Sequence, residues 1–157
     1  MLDTVFGLPI HTLVVHAAVV LLPLAALGAF IMGFSARFSR RFGPLVVAVA
    51  AAGVVAAFIS RGSGEELAAR VGNPEVHAQV GNLLPFIALG MFLVVLALWL
   101  LDRSLPGTRP QRGLGVQILG VVVIAAALIT TGWTIRTGHT GAESVWKAII
   151  DNTRPAS

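Results

Sequence analysis

The sequence predicts an all-α integral membrane protein, a four-helix up-and-down bundle of transmembrane helices. Three observations carry this. Of the 157 residues, 56% are hydrophobic and only 11% are charged, against about 25% charged in an ordinary soluble domain. Four stretches, Thr4–Ala36, Phe42–Ser60, Val76–Leu101 and Gly113–Ile135, contain no Asp, Glu, Lys or Arg, and about 20 apolar residues suffice to cross a bilayer. The same stretches lack the polar face that a helix on a soluble core would show. The chain therefore reads as one transmembrane domain spanning residues 1–157.

The first helix is expected over about 9–34, opened by Pro9, which suits a first-turn position. No basic region precedes it and Asp3 stands where one belongs, so it reads as a retained span rather than a cleaved leader. A ten-residue loop, SARFSRRFGP, follows with Arg37, Arg40 and Arg41. The second helix is expected over about 45–60. The third, about 74–101, has Asn73 as N-cap, Pro74 in the first turn and Glu75 at the positive end of the helix dipole. The loop DRSLPGTRPQRG then carries Arg103, Arg109 and Arg112, and the fourth helix is expected over about 114–137.

These two loops hold six arginines against one acid, Asp102. Positive loops stay in the cytoplasm, so both termini are expected outside. The net charge of +4 then reports topology rather than an affinity for nucleic acid. Trp99 and Trp133 are expected at opposite membrane surfaces. Ala52-x-x-x-Ala56 and Gly53-x-x-x-Ala57 are small-residue spacings that let helices approach closely, within the bundle or in a homo-oligomer.

Two segments beyond the even-numbered helices share a pattern. SGEELAAR (Ser63–Arg70) and TGAESVWK (Thr140–Lys147) both read Ser/Thr-Gly-x-Glu, then three residues, then a base. The first and fourth positions form a capping box. Short amphipathic helices over about 64–71 and 141–150 are therefore expected on the outer face. The second would lay Ala142, Val145, Trp146 and Ile149 on the membrane surface. The odd-numbered helices match too: His16 precedes Pro23 by seven residues and His77 precedes Pro85 by eight. The chain reads as two pseudo-repeated helical hairpins.

All four histidines map to the outer half, and ionisable groups at membrane depth are functional candidates. His11 and His16 differ by about 140° around the first helix, so one small site does not take both. His16, flanked by Val14, Val15, Ala17 and Ala18, is expected to face inward, opposite His77, while His11 reads as interfacial. Imidazole ligates haem iron, copper and zinc. One reading makes His16 and His77 the axial ligands of a haem b that exchanges electrons with a redox partner. A second draws His11, His16, His77 and His139 into a copper or zinc site. A third makes the chain a cofactor-free accessory or assembly subunit of a membrane complex. No zinc-peptidase motif, phosphate loop, dinucleotide fingerprint or G-x-S-x-G elbow is present. There is no cysteine, hence no thiol chemistry.

LPIHTLVVHAAVVLLPLAAL and GHTGAESVW resemble the bacterial membrane proteins grouped as domain of unknown function 2231. Those carry a His-Pro-x-x-V-H-x-P-like first helix and a Gly-His-x-Gly-Ala segment after the last. Thr12 stands here for the usual proline after the first histidine, and Ala18 where a proline is often found. The resemblance implies a four-helix inner-membrane protein in which His11, His16 and His139 match the motif histidines. It implies no reaction.

Overall fold

The computed structural model describes residues 4–5, 8–72, 75–105 and 111–153. Two two-residue strands, β1 (Thr4–Val5) and β2 (Leu8–Pro9), pair antiparallel ahead of four helices. These are α1 (Ile10–Phe34), α2 (Ala36–Val71), α3 (Glu75–Arg103) and α4 (Leu114–Thr153). All four are long and apolar enough to cross a membrane. Each packs on its sequence neighbours and α4 closes back on α1. The result is a square in which α1 lies diagonal to α3 and α2 diagonal to α4. The expected four-helix bundle is what forms.

Three helix boundaries differ markedly from the expectation. The ten-residue basic loop does not exist: α2 begins immediately after Ser35, so Arg37, Arg40 and Arg41 are helical. Ser35 is the reason, because it is extended and its Oγ accepts from the Phe38 amide at 3.2 Å, an N-cap that turns the chain in one residue. Pro44 is accommodated inside α2, as Pro23 and Pro85 are inside α1 and α3. The expected surface helices over 64–71 and 141–150 are not separate either. They are the continuous ends of α2 and α4. The capping boxes do not form, because both hydroxyls turn back along their own helix. Ser63 Oγ donates to the Ile59 carbonyl at 2.9 Å and Thr140 Oγ1 to that of Arg136 at 3.1 Å. Val145, Trp146, Ile149 and Ile150 accordingly stand exposed on a helix that continues past the bundle. The expected cap at Asn73 and Pro74 lies outside the described residues.

Arginines over aromatic rings mark two levels. At one end Arg41 lies 5.4 Å over Phe42 and Arg103 5.3 Å over Trp99; at the other, Arg61 lies 5.4 Å over Phe86 and Arg136 5.4 Å over Trp133. Arg41 and Arg61 both belong to α2, 20 residues apart. At 1.5 Å per residue that is about 30 Å, the thickness of a hydrocarbon core. Between these levels the core is dense with small residues. Ala25, Ala26, Ala29, Ala50 and Ala127 surround Met32, Met91, Val95, Leu98 and Val123, while Leu22, Val54, Ala57, Leu84 and Ala88 form a second cluster. The Gly53/Ala57 spacing serves this interior: both are buried, and a Cβ on Gly53 would stand 2.8 Å from Leu22 Cδ2. Ala52 faces outward.

The end opposite the histidines is closed by an ion pair that the charge count had assigned to topology alone. Asp102 is fully buried and the Arg112 side chain is 7% exposed. Arg112 donates Nε to Asp102 Oδ1 at 2.9 Å and Nη2 to Oδ2 at 2.6 Å, a bidentate fork. Its remaining donors go to the carbonyls of Met32, at 2.7 Å, and Gly33. These belong to the last turn of α1, whose carbonyls have no partner within the helix. Gly120 lets α4 come near enough for this, since a Cβ there would lie 2.7 Å from the Gly33 oxygen. Removing one partner strands a buried charge and is expected to cost about 3–5 kcal/mol. Denaturation in detergent micelles followed by circular dichroism should show that loss for Arg112→Met. Most of it should return in Arg112→Met/Asp102→Leu.

Candidate functional site

Two histidine clamps lie at the level of Arg61 and Arg136. In the first, His11 in the first turn of α1 reaches the end of α2. Its Nδ1 lies 2.9 Å from the Ser60 carbonyl oxygen and 3.3 Å from Ser63 Oγ. A carbonyl only accepts, so Nδ1 carries the proton. Ser63 Oγ spends its own proton on Ile59 and Ser60 carbonyls and so accepts as well. In the second clamp, His77 in the first turn of α3 reaches the end of α4. Its Nδ1 lies 3.3 Å from Thr140 Oγ1, which itself donates to the Arg136 and Thr137 carbonyls.

The clamps correspond position by position. Ser60, Ser63 and Gly64 on α2 are matched by Thr137, Thr140 and Gly141 on α4, with the same spacing. The glycines are part of the fit. A Cβ on Gly64 would fall 2.9 Å from His11 Cε1, and one on Gly141 would fall 3.0 Å from His77 Cε1. Each imidazole therefore lies against bare helix backbone. With Nδ1–H committed, each Nε2 is left with a free lone pair, the state in which histidine ligates a metal or accepts a proton. The two histidines stand on the diagonal helices α1 and α3.

Trp133 anchors the second clamp from below: its indole N–H donates to the Val80 carbonyl at 2.8 Å. Deeper still, Thr134 donates to the Thr130 carbonyl, and the Thr130 hydroxyl is buried without a hydrogen-bond partner among the described residues.

The structure corrects the sequence reading of the other two histidines. His16 does not face the interior. It is exposed on α1, and its Nδ1 is bonded to the Thr12 carbonyl of its own helix. The 140° separation from His11 was sound, but apolar neighbours do not tell an inward from an outward face when the outside is lipid. The histidines held against neighbouring helices are thus His11 and His77, not His16 and His77. His139 is exposed and lies 3.5 Å from Glu143 on its own helix. Among the described residues, no three His, Asp or Glu side chains gather as a metal-ligating group, so the four-histidine set is not assembled.

What the sequence reading missed is the receiving half of each clamp: Ser60, Ser63, Gly64, Thr137, Thr140 and Gly141. The signal was present as SRGSGEE and TGHTGAE, aligned as Ser/Thr-x-x-Ser/Thr-Gly-x-Glu. It was attributed to helix capping.

The family model described as a predicted membrane protein, DUF2231, matches residues 7–154 and so takes in both clamps. The chain belongs to this family. No curated protein and no solved structure matches it. The family description extends no further than the membrane, so it is the clamps that bear on chemistry.

The glycine contacts predict a split among substitutions. Gly62 and Gly138 have open space around a Cβ, so Gly62→Ala and Gly138→Ala should stabilise the helices by up to about 1 kcal/mol. Gly64→Ala and Gly141→Ala should instead destabilise, although alanine is the better helix former. Denaturation of the four variants in one detergent checks this.

Proposed function

We propose that this is a small electron-transfer protein of the bacterial inner membrane in which His11 and His77 ligate one haem b. The supporting observation is the pair of anchored rings. Each Nδ1 donates to the adjoining helix, so each imidazole is held in one tautomer with Nε2 free. Two such nitrogens would suffice to hold a haem iron, whereas a tetrahedral zinc or copper site needs more ligands. Haem is therefore favoured over copper or zinc. Arg61 and Arg136, one beside each clamp, would offer positive charge to the propionates of such a group. When bound, the haem supplies one-electron chemistry. The protein supplies ligation, ring orientation and an apolar floor built on Leu22, Leu84 and Trp133.

With the arginine-rich end that carries Arg37, Arg40, Arg41, Arg103 and Arg112 in the cytoplasm, both termini and the clamps face outward. Electrons would then leave to a redox partner or to a membrane complex of which this chain is a subunit.

Protein expressed with ample haem and purified in mild detergent should show a Soret band, with sharpened visible bands on dithionite reduction. His11→Ala and His77→Ala should each lower haem affinity by more than about tenfold. His16→Ala and His139→Ala should leave it unchanged. Wild-type protein with no Soret band overturns the proposal and favours the cofactor-free accessory role.

A further inference from the structure

We propose that His16 is the docking point for a lipid-soluble quinol. Polar groups at membrane depth almost always face a bundle interior or a cavity, yet His16 faces outward among Thr12, Leu13, Ala17, Val19 and Val20, all exposed. It lies five residues, about 7.5 Å, deeper than His11 along α1. Because His11 sits at the arginine–aromatic level, His16 lies just inside the hydrocarbon. Its Nδ1 is held by the Thr12 carbonyl, so the ring offers lipid a single unprotonated nitrogen, Nε2. That atom suits a hydroxyl donor arriving from the bilayer. The flanking Leu13 and Val20 suit an apolar ring and tail, and Ala17 leaves space beside the imidazole. A quinol combines a phenolic hydroxyl, a flat apolar body and free movement in the membrane.

The place of His16 beside the first clamp gives this contact a consequence. Here the inference rests on the haem reading, because a haem held by His11 and His77 would be the oxidant. Oxidation of the quinol to quinone releases two protons and two electrons. Each hydroxyl proton passes to His16 Nε2 and from there to the water above. A haem held by His11 and His77 would supply the one-electron acceptor for both electrons in turn, with the outward redox partner as the terminal oxidant. One turn and a half of α1 separates the proton acceptor from the ligand His11.

Binding can be tested without haem. Full-length protein labelled with nitrogen-15 at histidine is placed in phospholipid nanodiscs and titrated with decylubiquinol under argon. The His16 Nε2 resonance should move and saturate, while those of His11 and His77 should not. His16→Ala should weaken quinol binding by more than about tenfold, the loss of one hydrogen bond to the site. Unchanged circular dichroism in that variant shows that it folds. His11→Ala and His77→Ala should keep the quinol response while losing haem, so a failure of the haem reading is distinguishable from a failure of this one. A His16 signal that ignores quinol overturns the proposal. So does one that moves with protein concentration in the absence of quinol, which would mark contact with a second copy.

Discussion

Each of the two imidazoles donates its Nδ1 proton in a hydrogen bond to the helix beside it, and the histidine end of the molecule depends on that bond. It fixes the tautomer, because the Ser60 carbonyl has nothing to donate. It fixes the ring plane, because Gly64 and Gly141 admit the ring only against bare backbone. It also joins the start of α1 to the end of α2, and the start of α3 to the end of α4. In lipid, apolar helix faces gain little by leaving the solvent for one another, so close packing and interhelical hydrogen bonds carry the association. The clamps supply such bonds where the helices are about to leave the bilayer.

The opposite end is fastened by different chemistry. Arg112 and Asp102 form a buried fork that also takes up two unpaired carbonyls of α1. Buried ion pairs are costly unless every donor and acceptor is used, and here Arg112 serves Asp102, Met32 and Gly33 together. At the turn before α2, Ser35 caps the helix and reverses the chain in one residue. At the histidine end the two halves of the molecule are alike, each with an imidazole held against a hydroxyl and a glycine of the next helix.

The four spans were legible because charge-free stretches of bilayer length leave little alternative. The start of α1 and the end of the Thr4–Ala36 stretch could be placed closely from Pro9 and the arginines beyond. The lengths of α2 and α4 were not, because a hydroxyl followed by a glycine and a glutamate reads equally as a helix start or as a site inside a helix. The distinction lies in a contact with a histidine dozens of residues away. The candidate residues were legible in type, since histidine is scarce and sits at one end. Their partnership was not. Helical phase separates His11 from His16, but when both outside and inside are apolar, composition does not say which face is buried. Arg112 was hidden for the related reason that a count of loop charges weighs it the same as Arg41, although only its side chain returns to the core.

The central claim is that His11 and His77, and not His16, form a matched pair with free Nε2 atoms. Solid-state magnetic resonance of the bilayer-embedded protein, labelled with carbon-13 and nitrogen-15 at histidine and glycine, tests it most directly. At mildly alkaline pH both rings should be protonated at Nδ1. The His11 ring should show through-space contact to the Gly64 Cα, and the His77 ring to the Gly141 Cα. Protonation at Nε2 in either ring, or loss of these contacts in favour of an inward-facing His16, would contradict it.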